Sequence, residues 1–217
     1  MRPWPNRSVE EYIDLIKSPE SAIRVQAVAA LGILRAAEAL EPLIHALLDP
    51  DKTVRLRAGQ ALGTLGRKEA ITPLIKALSD EAWEVRSTAV GSLEKLEAYE
   101  AVPYLCHLLK DPEGDVSYNA TQALKHLPDP RALEPLLEVL LEGDKSRSFM
   151  AAIALGSLGE VVLAPVLEAL HQPNPIVRQG LCAWNRKRPL TLVKFESLHL
   201  NLSKGASQWS IPKSKRL

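Results

Sequence analysis

Asp49-Pro50-Asp51-Lys52-Thr53-Val54-Arg55-Leu56-Arg57-Ala58-Gly59-Gln60-Ala61-Leu62-Gly63-Thr64-Leu65-Gly66 is the stretch that decides the fold. Val54, Ala58, Ala61, Leu62 and Leu65 recur at three- and four-residue steps, which places them on one face of a helix. Aspartate precedes the run as a cap and glycine closes it. The pattern also returns along the chain with a period of 31 residues. Asp80 and Asp111 repeat Asp49, and Val85-Arg86 and Ile23-Arg24 repeat Val54-Arg55. Ala58, Ala89, Ala120 and Ala151 keep step, as do Leu31, Leu62, Leu93, Leu124 and Leu155.

A second block shares this register. Pro42-Leu43, Pro73-Leu74 and Pro135-Leu136 open segments ending in Leu47, Leu78 and Leu140, and one residue is then dropped before Pro165 and Val177-Arg178. Each unit therefore holds two apolar-periodic stretches of about a dozen residues, a helical hairpin that cannot bury its own apolar face. Hairpins of this kind must stack. The expected fold is all-α, an α-solenoid superhelix of about five hairpins with capping half-repeats. Composition agrees: 46% of the residues are hydrophobic but only 5% aromatic, so the core is built from Leu, Ala, Val and Ile.

The pattern Asp-x-x-x-x-Val-Arg-x-x-Ala-x-x-Ala-Leu-Gly-x-Leu-Gly, seen from Asp49 to Gly66, resembles the short HEAT-like repeat of the phycobilisome-lyase type. The resemblance covers about residues 9 to 183, with Val9 to Ile16 as a solitary second helix capping the array. The middle repeats depart from it, since Ser117 and Ser148 replace the repeat arginine and Glu94 and Lys125 replace the first glycine. It implies that the helix bearing Val-Arg lines a concave surface. On that helix the positions facing away from the core include Lys52, Arg57, Gln60, Trp83, Ser87, Tyr118, Asn119, Gln122, His126, Phe149 and Met150. Trp83, Tyr118, Phe149 and Met150 are large side chains where stacking does not require them, the texture of a partner-binding groove for a protein or peptide. The alternative is that Trp83 packs over an inter-repeat loop and Phe149 fills space left by Ser148.

Arg24, Arg55, Arg86 and Arg178 could form a phosphate-binding ladder. Their coupling to a preceding Asp or Ser and a following Ala points instead to ion pairing and capping between adjacent repeats. They are read as structural.

No catalytic residue, metal site or cofactor is expected. Deoxyhypusine hydroxylase, a related family with HEAT-like repeats, binds di-iron through His-Glu pairs, whereas His45, His107, His126, His171 and His199 are followed by Ala, Leu, Leu, Gln and Leu. His126 alone falls on the groove helix, with no carboxylate or second histidine expected beside it. Cys106 shares a column with Ile44, Ile75 and Leu137 and reads as a small buried hydrophobe. Resemblance to phycobilin lyases leaves a chromophore-handling or carrier-handling role as an alternative function.

The repeat ends at Trp184-Asn185-Arg186, where Ala-Leu-Gly is expected. Residues 1–184 form the expected repeat domain and 185–217 a basic tail, disordered or out of native register. From Asn185 onward eight Lys or Arg face the single Glu196, so nucleic acid is a second alternative partner. An uncapped last repeat would favour self-association at the C-terminal end. The two cysteines and the absence of an apolar run long enough to span a bilayer fit a soluble cytoplasmic protein with no membrane partner.

Overall fold

The computed structural model describes residues 7–142 and 144–162. Five long helices alternate there with five short ones: α1 Val9–Leu15, α2 Ser21–Leu34, α3 Leu40–Ala46, α4 Lys52–Leu65, α5 Ile71–Ala77, α6 Trp83–Lys95, α7 Val102–Leu108, α8 Gly114–His126, α9 Leu133–Leu141 and α10 Lys145–Ser157. The chain is an all-α solenoid. Helices α2, α4, α6, α8 and α10 stack side by side as one layer, and each short helix packs on the long helix that follows it. The capping helix α1 packs on α2 in the same way.

The short helices are shorter than the dozen residues expected from periodicity. Helices α3, α5 and α7 have 7 residues each, because a one-turn 3₁₀ segment such as Lys68–Ala70 precedes each of them and takes up the start of the segment. Pro42, Pro73, Pro103 and Pro135 sit in the first turn, where a missing N–H costs nothing.

The core is the repeat itself. Val28, Leu31, Val54, Ala58, Leu62, Ala89, Leu93, Val116, Ala120, Leu124, Ala151 and Leu155 are buried from the long helices, and Leu43, Leu74, Leu105 and Leu136 from the short ones. Each such leucine contributes about 2 kcal/mol through burial.

Two glycines set the spacing of the long-helix layer. A Cβ on Gly32 would lie 2.8 Å from Ala61 Cβ, and one on Gly63 would lie 2.6 Å from Ser92 Oγ. Helices α2, α4 and α6 therefore meet almost backbone to backbone at that end. The chain leaves the long helices through a left-handed residue, Arg35, Gly66, Glu97 or Gly159 in turn. At α8 the corresponding residue is Pro128, whose ring forbids positive φ, and Leu127 ends the helix with φ −111° and ψ 69° instead.

Arginine and aspartate join successive units along the loop edge. Arg24 donates through Nε and Nη2 to both oxygens of Asp49 at 2.7 and 2.8 Å. Arg55 holds Asp80 at 2.8 and 2.9 Å, and Arg86 holds Asp111 at 2.8 and 2.8 Å. Each Nη1 also donates to two carbonyls of its own loop, Ser18 and Pro19, Asp49 and Pro50, or Asp80 and Glu81. The repeat aspartates are not helix caps. Each lies two residues ahead of the cap position and accepts the backbone N–H of Asp51, Ala82 or Glu113 at 2.9 Å. Asp51 and Asp144 do cap, at α4 and α10.

Burial pushes the Asp80 and Asp111 carboxyls up, yet the Arg55 and Arg86 guanidiniums and the backbone donors outweigh it and hold both below the usual carboxylate range. Arg55→Ala leaves Asp80 buried without its counter-charge and is expected to cost about 3 kcal/mol in urea unfolding. Arg57→Ala, on the exposed face two residues away, should stay within about 0.5 kcal/mol. The depressed Asp80 and Asp111 make their full contribution above the unfolded carboxyl value, near pH 4, and lose it as pH falls through the lower folded values. The urea midpoint is therefore expected to drop below pH 4, and Asp80→Asn, which has no carboxylate left to protonate there, should show a shallower drop.

Candidate functional site

The long-helix layer has one open face, and the helical step of four residues sorts its side chains into lines. Helix α6 presents Trp83, Ser87, Gly91 and Lys95; α8 presents Tyr118, Gln122 and His126 beside Asn119; α4 presents Lys52, Arg57 and Gln60. The expected face residues on these helices are exposed or half-buried, as are Phe149 and Met150 on α10. Trp83 is 36% exposed, Tyr118 51% and Phe149 45%. Phe149 does not fill space beside Ser148. Ser148 is itself fully buried and donates to the Leu140 carbonyl at 3.0 Å, so the slot is occupied and the phenyl ring turns outward.

Polar contacts cross the face from one long helix to the next at a spacing of 32 residues. Lys52 Nζ donates to Glu84 at 2.8 Å, and Asn119 Nδ2 donates to Ser87 Oγ at 2.8 Å. His126 Nδ1 lies 2.6 Å from Glu94 Oε1. The last contact corrects the expectation that His126 has no carboxylate beside it. Glu94 stands in the glycine column of Gly32 and Gly63, and with a side chain there it reaches across to the imidazole on α8. Within single helices, Arg57 Nη1 donates to Gln60 Oε1 at 2.9 Å and Gln122 Nε2 to Tyr118 Oη at 3.0 Å.

Sequence reasoning missed Glu84 and Glu94 as partners on this face. The spacing of 32, one more than the repeat, would have paired Glu84 with Lys52 and Glu94 with His126. It also passed over Tyr99 and Tyr104, which are exposed around the start of α7.

Arg24, Arg55 and Arg86 point to the loop edge and are engaged there with aspartate, so their guanidiniums are not on the open face. Arg178, the expected tail contacts from Asn185 onward and the expected self-association surface lie outside the described residues. Cys106 is half-buried rather than sealed, and burial pushes its thiol up to about 11, which keeps it protonated and unreactive near neutral pH. Among the described residues no group of three or more His, Cys, Asp or Glu is placed to hold a metal ion, and no helix is long and apolar enough to cross a membrane.

A two-layer stack with arginine–aspartate joints and one open face defines an α-solenoid repeat protein. The family model for HEAT repeats matches residues 4–62, 40–125 and 107–183, and the chain belongs to that family. A comparison with curated proteins finds no match. Among solved structures, a designed armadillo repeat protein in complex with the peptide (KR)4 is similar at 21% identity and TM-score 0.56, over 83% of this chain and 99% of that one. An engineered protein is similar at 20% identity and TM-score 0.55, over 80% and 93%. The complex of CpcE and CpcF of phycocyanin lyase from Nostoc sp. PCC7120 matches at 22% identity and TM-score 0.49, over 93% and 97%. The first two likenesses are of fold.

The His126–Glu94 contact is half-exposed and joins α6 to α8 where the glycine column is interrupted. A double-mutant cycle with Glu94→Gln and His126→Gln is expected to give a coupling of about 0.2–1 kcal/mol, the range of an exposed pair, in urea unfolding.

Proposed function

We propose that this chain is a non-catalytic scaffold that binds a protein or peptide in a groove formed by the open face of the long helices. The observation that carries the reading is the exposure of Trp83, Tyr118 and Phe149 on three successive long helices whose cores are already complete. Large aromatic surface in water opposes folding alone and becomes favourable when a partner covers it. Lys52, Ser87, Asn119, Gln122, Arg57 and Gln60 surround the aromatics with polar groups, the arrangement of a hot spot with a hydrogen-bonding rim. The (KR)4 complex of the designed armadillo repeat protein offers a precedent for a peptide seated on a solenoid of this kind.

Trp83→Ala is expected to leave the circular dichroism of the chain unchanged and to weaken a verified partner by about 2 kcal/mol. Direct titration of the purified partner against both chains measures this. Equal affinities would remove Trp83 from the groove, and equal affinities for Trp83→Ala, Tyr118→Ala and Phe149→Ala would remove the groove.

A further inference from the structure

Glycine inside a helix costs about 1 kcal/mol relative to alanine, so each one calls for a reason. Gly32 and Gly63 have theirs in the close approach of neighbouring long helices, and a Cβ on Gly59 would press to 3.2 Å from Thr88 Cγ2. Gly66 and Gly159 adopt positive φ, and Gly156 is buried in the last turn of α10. Gly114 opens α8, where the interior cost does not apply. Gly91 has no such reason. It lies in the middle of α6, its φ is not in the left-handed region, and a Cβ placed on it would meet nothing within 4 Å. It is also half-exposed on the open face, on the line of Trp83, Ser87 and Lys95, with Gln60 and Gln122 at the matching positions of α4 and α8. The empty space over Gly91 is therefore on the side from which a partner would come.

The cations beside this notch have no carboxylate partner. The face carboxylate of Glu84 is paired with Lys52, and that of Glu94 is engaged by the His126 ring on α8. Arg57 is exposed and held by the neutral Gln60, and Lys95 is exposed one turn beyond Gly91. Among the described residues neither cation meets a carboxylate within salt-bridge distance, and Asp115, at the start of α8, lies two helical turns from the level of the notch. The middle of the face thus presents two unneutralised cations on either side of a helix surface stripped of its side chain.

We propose that the notch over Gly91 receives the backbone of an acidic peptide segment, with Arg57 and Lys95 pairing its carboxylates and Trp83 covering an apolar side chain next to them. The inference rests on the groove reading and adds to it the charge of the partner and the point of closest approach. Glycine at position 91 is then a loss of helix stability exchanged for contact with the partner's main chain. A methyl group there would hold that main chain off by more than an ångström and weaken every contact made on either side.

The test uses the full chain, immobilised, and a phage-displayed library of random 12-residue peptides. Selected peptides are synthesised and titrated by fluorescence anisotropy against the unaltered chain, Gly91→Ala, Trp83→Ala and the double variant Arg57→Glu/Lys95→Glu. The proposal expects acidic peptides, at least tenfold weaker binding to Gly91→Ala, and a similar loss in the charge-reversed chain that a Lys-for-Glu version of the peptide restores. Gly91→Ala should meanwhile raise the Tm by roughly 2–4 °C, because the free chain has room for the methyl group. Basic or neutral peptides, or full affinity for Gly91→Ala, overturn the proposal, and the groove itself stands if those peptides still lose affinity to Trp83→Ala. Peptides indifferent to Trp83→Ala as well, or a library that yields no binder, overturn both readings.

Discussion

The guanidinium of each repeat arginine does two jobs at once. Its Nη1 closes the loop that precedes its own helix, and its Nε and Nη2 hold the aspartate that organises the next loop. That aspartate in turn fixes the backbone N–H at the entrance of the next long helix. One side chain therefore couples the conformation of two loops and sets the distance between two hairpins, which is what a stack of otherwise marginal units needs. Lysine could not replace it, because the geometry needs a planar fork with donors on two sides. Apolar burial supplies most of the stability, but it is non-directional, and the same leucines would tolerate neighbouring hairpins at several angles. The forked pairing removes that freedom along the loop edge.

The joint is absent at Ser117, and the structure changes around it. Ser117 stands where the fourth arginine would be and Glu142 where the fourth aspartate would be. Ser117 turns inward to the Gly114 carbonyl at 3.0 Å, while Lys110 makes exposed contacts with Glu138 and Glu142. Exposed pairs of that kind contribute little. Near the same junction Glu94 and Lys125 interrupt the glycine column, so the close contact seen between α2, α4 and α6 gives way to side chains that span the gap. The first units are thus fixed by two short-range devices, backbone approach at one end and the forked pairing at the other, and the later units by longer polar reach.

Much of this architecture can be read from the chain because the constraints repeat. The apolar columns, the arginine and the aspartate each occur three or more times at a fixed interval, and repetition separates a packing requirement from a local accident. The reading failed where position, rather than residue type, carried the meaning. Aspartate before a helix suggests a cap, yet Asp49, Asp80 and Asp111 sit two residues too early for that role and serve the joint instead. The run from Lys68 to Ala77 mixes Lys68, Glu69, Thr72 and Lys76 with apolar residues from end to end, and nothing in its periodicity marks the change from a 3₁₀ turn to an α-helix. His126 looked isolated because its partner is 32 residues away, on the neighbouring helix in the column of Gly32 and Gly63.

The open face follows a different logic from the core, and this explains why its residues vary while the columns beneath them do not. Stacking uses the inward face of each long helix, the short helix behind it and the loop edge, and it asks of the outward line only the scattered polar contacts that cross it. Residues there are little constrained by packing. Under such freedom alanine, glutamate or lysine would satisfy helix propensity and solubility together. The line Trp83, Ser87, Gly91, Lys95 departs from that baseline in both directions, with a large aromatic at one position and no side chain at another. Neither departure improves the isolated chain: the indole places apolar area in water and the glycine weakens α6. On the proposed reading, these two costs of different origin on one line of one helix are both recovered on contact with the same partner.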